Sequence, residues 1–112
     1  MTPEEAKQKI IDKVLATKEG WSQSHIETLG PCNMHYYIHP NLPDVVVKMV
    51  RSFSARAPIQ YELSICAHGY PLALEKDPNG PIGQIVIAAE KKQVDDEIAK
   101  RNNKLIAIAQ NL

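Results

Sequence analysis

Two short stretches hold most of the side chains that could do chemistry: Cys32, His35, Tyr36, Tyr37 and His39, and then Cys66, His68 and Tyr70. Imidazole and thiolate together are zinc ligands, and a thiolate beside an imidazole is also a nucleophile with its base. On a strand, His35, Tyr37 and His39 share one face while Tyr36 and Ile38 share the other. Cys32-x2-His35-x3-His39 is not the spacing of a structural zinc motif, and Cys66-x-His68 is too tight for a knuckle. A zinc site would need strand 33–39 beside strand 59–67, with Cys66 or His68 brought up to the two histidines. Against it stands the ordinary fate of such residues, half-exposed histidines at strand ends and small inert thiols.

An enzymatic alternative makes a histidine the base for Cys32 or Cys66, but it needs an orienting group and an oxyanion site that no spacing supplies. The chain has no nucleophile elbow, HExxH, paired-cysteine redox motif or phosphate-binding loop. Gly80-Pro81-Ile82-Gly83 reads as a turn and strand start rather than a phosphate cradle. No cofactor is expected on these grounds.

Binding is the preferred reading. Trp21, His35, Tyr36, Tyr37 and His39 offer flat amphipathic surface with little side-chain entropy to lose. Arg51 and Arg56 would take a carboxylate or phosphate by bidentate contact, which suits a nucleotide-like anion; His68 and Tyr70 extend the surface. A protein partner fits the same residues. Each has a plainer fate as well: Trp21 as a plug at the end of the core, Lys48 and Arg51 as a solvated helix face.

The elements that must position these groups read as follows. Thr2 caps a helix from Pro3 to about Lys18, with Ala6, Ile10, Ile11, Val14 and Leu15 as its apolar stripe and Gly20 as its stop. Ser24 and Glu27 could form a capping box, but Ile26 and Thr28 favour a short strand; Met34 to His39 is a second strand, joined through a turn at Gly30-Pro31-Cys32-Asn33. Val45, Val46, Met49, Val50 and Phe53 fall on one helical face, which predicts a helix from Leu42 to Ala55 despite the β-branched residues. Ile59 to Ala67 alternates as a half-buried strand, with Gln60, Glu62, Ser64 and Cys66 toward water. Pro71 to Lys76 and Ile82 to Ala89 then form a hairpin about Asp77-Pro78-Asn79-Gly80, with Gly80 at positive φ.

A long helix from Glu90 to Gln110 closes the order α-β-β-α-β-β-β-α. Its Val94, Ile98, Leu105, Ile108 and Leu112 follow four-three spacing, with Arg101 where an apolar residue is due. That stripe either packs on the chain's own sheet, the default for an α+β domain, or pairs with a second copy. Asp96 with Lys100 and Glu97 with Arg101 are spaced as i,i+4 ion pairs, and Asn102-Asn103 is a weak point.

The expected fold is a small α+β domain over residues 1–112, mainly antiparallel sheet with helices packed on it. Thirteen basic and thirteen acidic side chains cancel, which argues against nucleic acid and anionic lipid. The acidic start lacks the pattern of a signal peptide, and no apolar run is long enough for a bilayer. The reading is a cytoplasmic, homo-oligomeric binding protein of regulatory or inhibitory type.

Overall fold

The computed structural model describes residues 1–112. Helix α1 (Pro3–Ala16) begins as its sequence requires: Thr2 Oγ1 accepts from the Glu5 amide at 3.2 Å, and Pro3, Glu4 and Glu5 occupy the first turn. It stops at Ala16, two residues short of the expected Lys18. Gly20 follows at φ +91°, and a Cβ there would press on His39 Nε2 at 2.5 Å.

Five strands come next: β1 (Ser22–Leu29), β2 (Cys32–His39), β3 (Leu42–Ser54), β4 (Ala57–Ala67) and β5 (Tyr70–Glu75). They form one antiparallel sheet in sequence order, and α2 (Pro81–Gln110) completes the chain. Both helices pack on the same face. The fold is therefore a small α+β domain with the order α-β-β-β-β-β-α.

Two elements differ from expectation, each for a definable reason. Leu42 to Ser54 is a strand, not a helix, so Arg51 lies on β3. Val45, Val47 and Met49 alternate into the core while Val46, Lys48 and Val50 point to the opposite face. Because β3 is the central strand, paired with β2 and β4, both of its faces are partly covered. Apolar residues on both faces happened to satisfy the helical period as well.

The second difference is Ile82 to Ala89, which forms the first turns of α2 rather than a strand. Ile82, Ile85, Val86 and Ala89 stand at i, i+3, i+4 and i+7, and all four are buried. The Asp77–Gly80 turn does form, closed by the Gly80 amide on the Asp77 carbonyl at 3.1 Å, but it delivers the chain into a helix. Gly80 has φ −73°, not the positive φ that a hairpin would use.

Gly80 offers no capping side chain, and Glu75 of β5 substitutes for one. Its carboxylate accepts from the amides of Ile82 (3.4 Å) and Gly83 (2.9 Å) at the positive end of the helix. Gly80 allows the approach, because a Cβ there would collide with the Glu75 carboxylate, and a Cβ on Gly83 would collide with the Pro78 carbonyl.

The core lies between the inner sheet face and the helices. Tyr37, Val47, Met49, Leu63 and Ile65 meet Ile82, Ile85, Val86 and Val14, with Trp21 closing the end near α1. Trp21 is 2% exposed, and its indole N–H donates to the Thr17 carbonyl, so it is the core plug. On the outer face Ser64 is buried, not wet as the alternation of β4 suggested, because neighbouring strands flank it on both sides.

From Lys91 onward α2 is exposed at every residue, and the Val94–Leu112 stripe does not pack on the sheet. A 30-residue helix is about 45 Å long. The arm accounts for the 64 Å long axis of a molecule only 22 Å thick. No helix is long and apolar enough to cross a membrane.

Candidate functional site

The nine residues singled out for binding do not converge on one cleft. The sheet divides them between its faces and its turns. Trp21, Tyr37 and His39 are buried. Arg56 lies in the turn between β3 and β4, while His68 and Tyr70 lie at the turn between β4 and β5. His68 there has φ +50° and stands 4.0 Å from Asp44.

His39 has both ring nitrogens committed. Nε2 lies 2.9 Å from the Glu19 carbonyl, and Nδ1 accepts from the Asn41 amide at 3.1 Å, which fixes the proton on Nε2. Trp21 meets the ring edge-on at 5.3 Å. His39 thus ties the β2–β3 turn to the segment after α1.

His35, Tyr37 and Arg51 belong to a polar cluster on the inner face, where α2 leaves the sheet. The Tyr37 hydroxyl donates to Glu90 Oε1 at 2.9 Å, and Arg51 reaches the same oxygen at 3.3 Å. His35 Nδ1 lies 3.3 Å from the Gln23 amide oxygen. Burial first, then the Glu90 charge and hydrogen bond, push the Tyr37 hydroxyl well above its ordinary value, so it remains a donor. Burial and, next, the Arg51 guanidinium hold the His35 imidazole below its usual value, with Glu90 pulling the other way. Arg51 Nε is buried with no hydrogen-bond partner.

Tyr36 lies on the outer face, which no helix covers. The His25 ring stacks on it at 4.3 Å, with the planes 9° apart, and Lys48 Nζ stands 5.6 Å over its ring. Glu27 joins both aromatics: Oε2 accepts from the Tyr36 hydroxyl at 3.3 Å, and Oε1 is 3.4 Å from His25 Nε2. Met34 and Val50 lie alongside on neighbouring positions of β2 and β3. The result is an organised aromatic and charged patch on an open sheet.

The thiols sit apart from the inner histidines. Cys32 pairs across the sheet with Ser52 on the outer face, its Sγ 3.4 Å from the serine hydroxyl, whereas His35 and His39 face inward. Cys66 neighbours Ser64 at 3.5 Å on β4, two strands from β2. Both thiols are free. No group of three or more His, Cys, Asp or Glu side chains is close enough to hold a metal ion.

His25, Glu27 and Lys48 of the outer patch, and Glu90 of the inner cluster, were not among the residues singled out. The first two could have been found by counting outward from the Gly30-Pro31 turn, which places Leu29 opposite Cys32 and His25 opposite Tyr36. Glu90 was hidden by reading the start of α2 as a strand. No family model, no curated protein and no solved structure matches this chain.

Proposed function

We propose that this is a cytoplasmic, non-catalytic binding protein of regulatory or inhibitory type that engages a protein partner through the uncovered face of its sheet. The observation that carries the reading is the Tyr36 patch. His25, Glu27 and Lys48 already hold the tyrosine in place, so docking on it costs little side-chain ordering. Around it the surface is broad and open, a shape suited to another protein's surface more than to a small molecule. A two-sided charge pattern, Glu27 on one flank and Lys48 on the other, would set orientation.

Capture with the immobilised protein, followed by purification and titration of the captured partner, tests the reading. Tyr36→Ala should weaken that partner by ~1–3 kcal/mol, and Lys48→Glu by less. Equal affinity for wild type and Tyr36→Ala would remove the patch from the account.

A second reading rests on the buried Arg51 Nε. A carboxylate or phosphate beside β3 would satisfy it once the side chain, 32% exposed, swings away from Glu90. Titration with ATP and with inorganic phosphate, followed by amide shifts around Asn33, Arg51 and Tyr61, would reveal such a ligand.

A further inference from the structure

The apolar face that seals α2 to the sheet stops at Ala89. Continuing it along the same azimuth gives Gln93, Asp96, Lys100 and Asn103, all polar, so the far half of the helix has nothing to offer its own sheet. A different stripe takes over. Ile87, Val94, Ile98, Leu105, Ile108 and Leu112 run along another side of the helix at heptad spacing. Val94, Ile98, Leu105 and Ile108 are 42–60% exposed.

An exposed helical arm lacks the tertiary packing from which most helical stability comes, and Asn102-Asn103 weaken it further. Its charges are equally unpartnered. Asp96 with Lys100 and Glu97 with Arg101 were expected to pair along the helix, but neither pair comes within salt-bridge distance.

We infer that this arm binds a second copy of the same chain as an antiparallel helix pair, in the register that sets Ile98 opposite Arg101. The arm's charges are self-complementary in this arrangement. Acidic residues occupy 95–97 and basic residues Lys100, Arg101 and Lys104, so reversing one helix lays each block against the other. Glu97 then faces Lys104 of the second copy on both sides of the two-fold axis.

The apolar layers follow from the same register. Val94 meets Leu105, Ile87 meets Leu112, and Ile108 packs on the stem of Lys91. Each Arg101 packs its methylenes on Ile98 and directs its charge toward the opposing acidic block. The parallel alternative stacks Arg101 on Arg101 and brings Glu90 near Asp95, both repulsive. An antiparallel pairing shifted by one heptad sets Lys104 against Lys104. Twelve apolar side chains at ~60–100 Å² each, with the flanking stems, bring the buried area to the order of 1,000 Å², near the lower bound for a specific interface. The globular bodies lie at opposite ends of the pair. This inference is independent of the Tyr36 patch.

Charge reversal tests it, because residues 97 and 104 carry no part of the core. Sedimentation equilibrium of the full chain should give a concentration-dependent dimer. Glu97→Lys and Lys104→Glu, made singly, should each weaken it about tenfold. The double variant, and an equimolar mixture of the two single variants, should both restore it. Circular dichroism at low concentration should show the body folded in all of them. A monomer at every concentration, or a dimer that the paired reversals fail to rescue, would overturn the proposal and leave the arm to a different protein or to a parallel pairing.

Discussion

Residues 81–90 and 91–110 form one continuous helix, yet the first part is sealed against the sheet and every residue of the second is exposed. Both are rich in aliphatic residues. The difference lies in azimuth: Ile82, Ile85, Val86 and Ala89 face the core, while Val94, Ile98 and Leu105 face away from it. An apolar stripe that moves around a helix marks a change of partner, because a straight helix cannot present two azimuths to one sheet. Glu90 stands at the junction, where it binds Tyr37 and Arg51.

The sharpest way to break this comparison is to make the same change in each half. Ile85→Ala should cost ~2–5 kcal/mol in urea unfolding, because a fully buried side chain leaves a cavity. Ile98→Ala, measured at low concentration, should stay within about 0.5 kcal/mol of wild type. Comparable losses at the two positions would mean the arm packs on the body.

The junction comes next. Tyr37→Phe leaves the ring in place and removes one donor from a partly buried carboxylate, so a loss of ~1–2 kcal/mol is expected, again by urea unfolding. A neutral result would show Arg51 alone satisfies Glu90.

Replacing Asn102 and Asn103 together by Ala should stabilise the arm's helix by about 1 kcal/mol, visible as a gain in far-ultraviolet helicity at low concentration. No gain would indicate an arm already fully helical and supported by contacts.

The smallest effect concerns pH. His35 is held below its ordinary value in the fold, so the unfolded chain takes its proton first as pH falls through about 6.5. The stability tied to the neutral ring is complete above that pH and declines below it toward the folded-state value. Unfolding titrations between pH 7.5 and 5 should therefore fall less steeply for His35→Gln than for wild type. Parallel profiles would assign the acid sensitivity to other groups.

Much of the fold is written locally. The Thr2-Pro3-Glu4-Glu5 start appears as read, and β4 forms where its alternation placed a strand, although Ser64 is buried and Ile59 exposed against that alternation. What escaped is what local pattern cannot decide. Val45-Val46-Val47 satisfies a helical face and a central strand equally, and only the pairing with β2 and β4 selects the strand. Ile82 to Ala89 carries a helical period in β-branched residues, and burial of that face on the sheet selects the helix, with Glu75 of β5 capping its start.

The candidate site shows the same division. That His35, Tyr37 and His39 share a face follows from pleating, but that this face is the covered one depends on where α2 packs. Tyr36, on the opposite face, is half-buried and acquires partners from β1 and β3 that register dictates.

Hydrogen exchange at two protein concentrations shows whether one helix serves two partners. Amides 85–90 should exchange slowly at both concentrations, while those from 94 to 108 should exchange rapidly when dilute and slowly when concentrated. Protection that is equal along the whole helix and independent of concentration would contradict it.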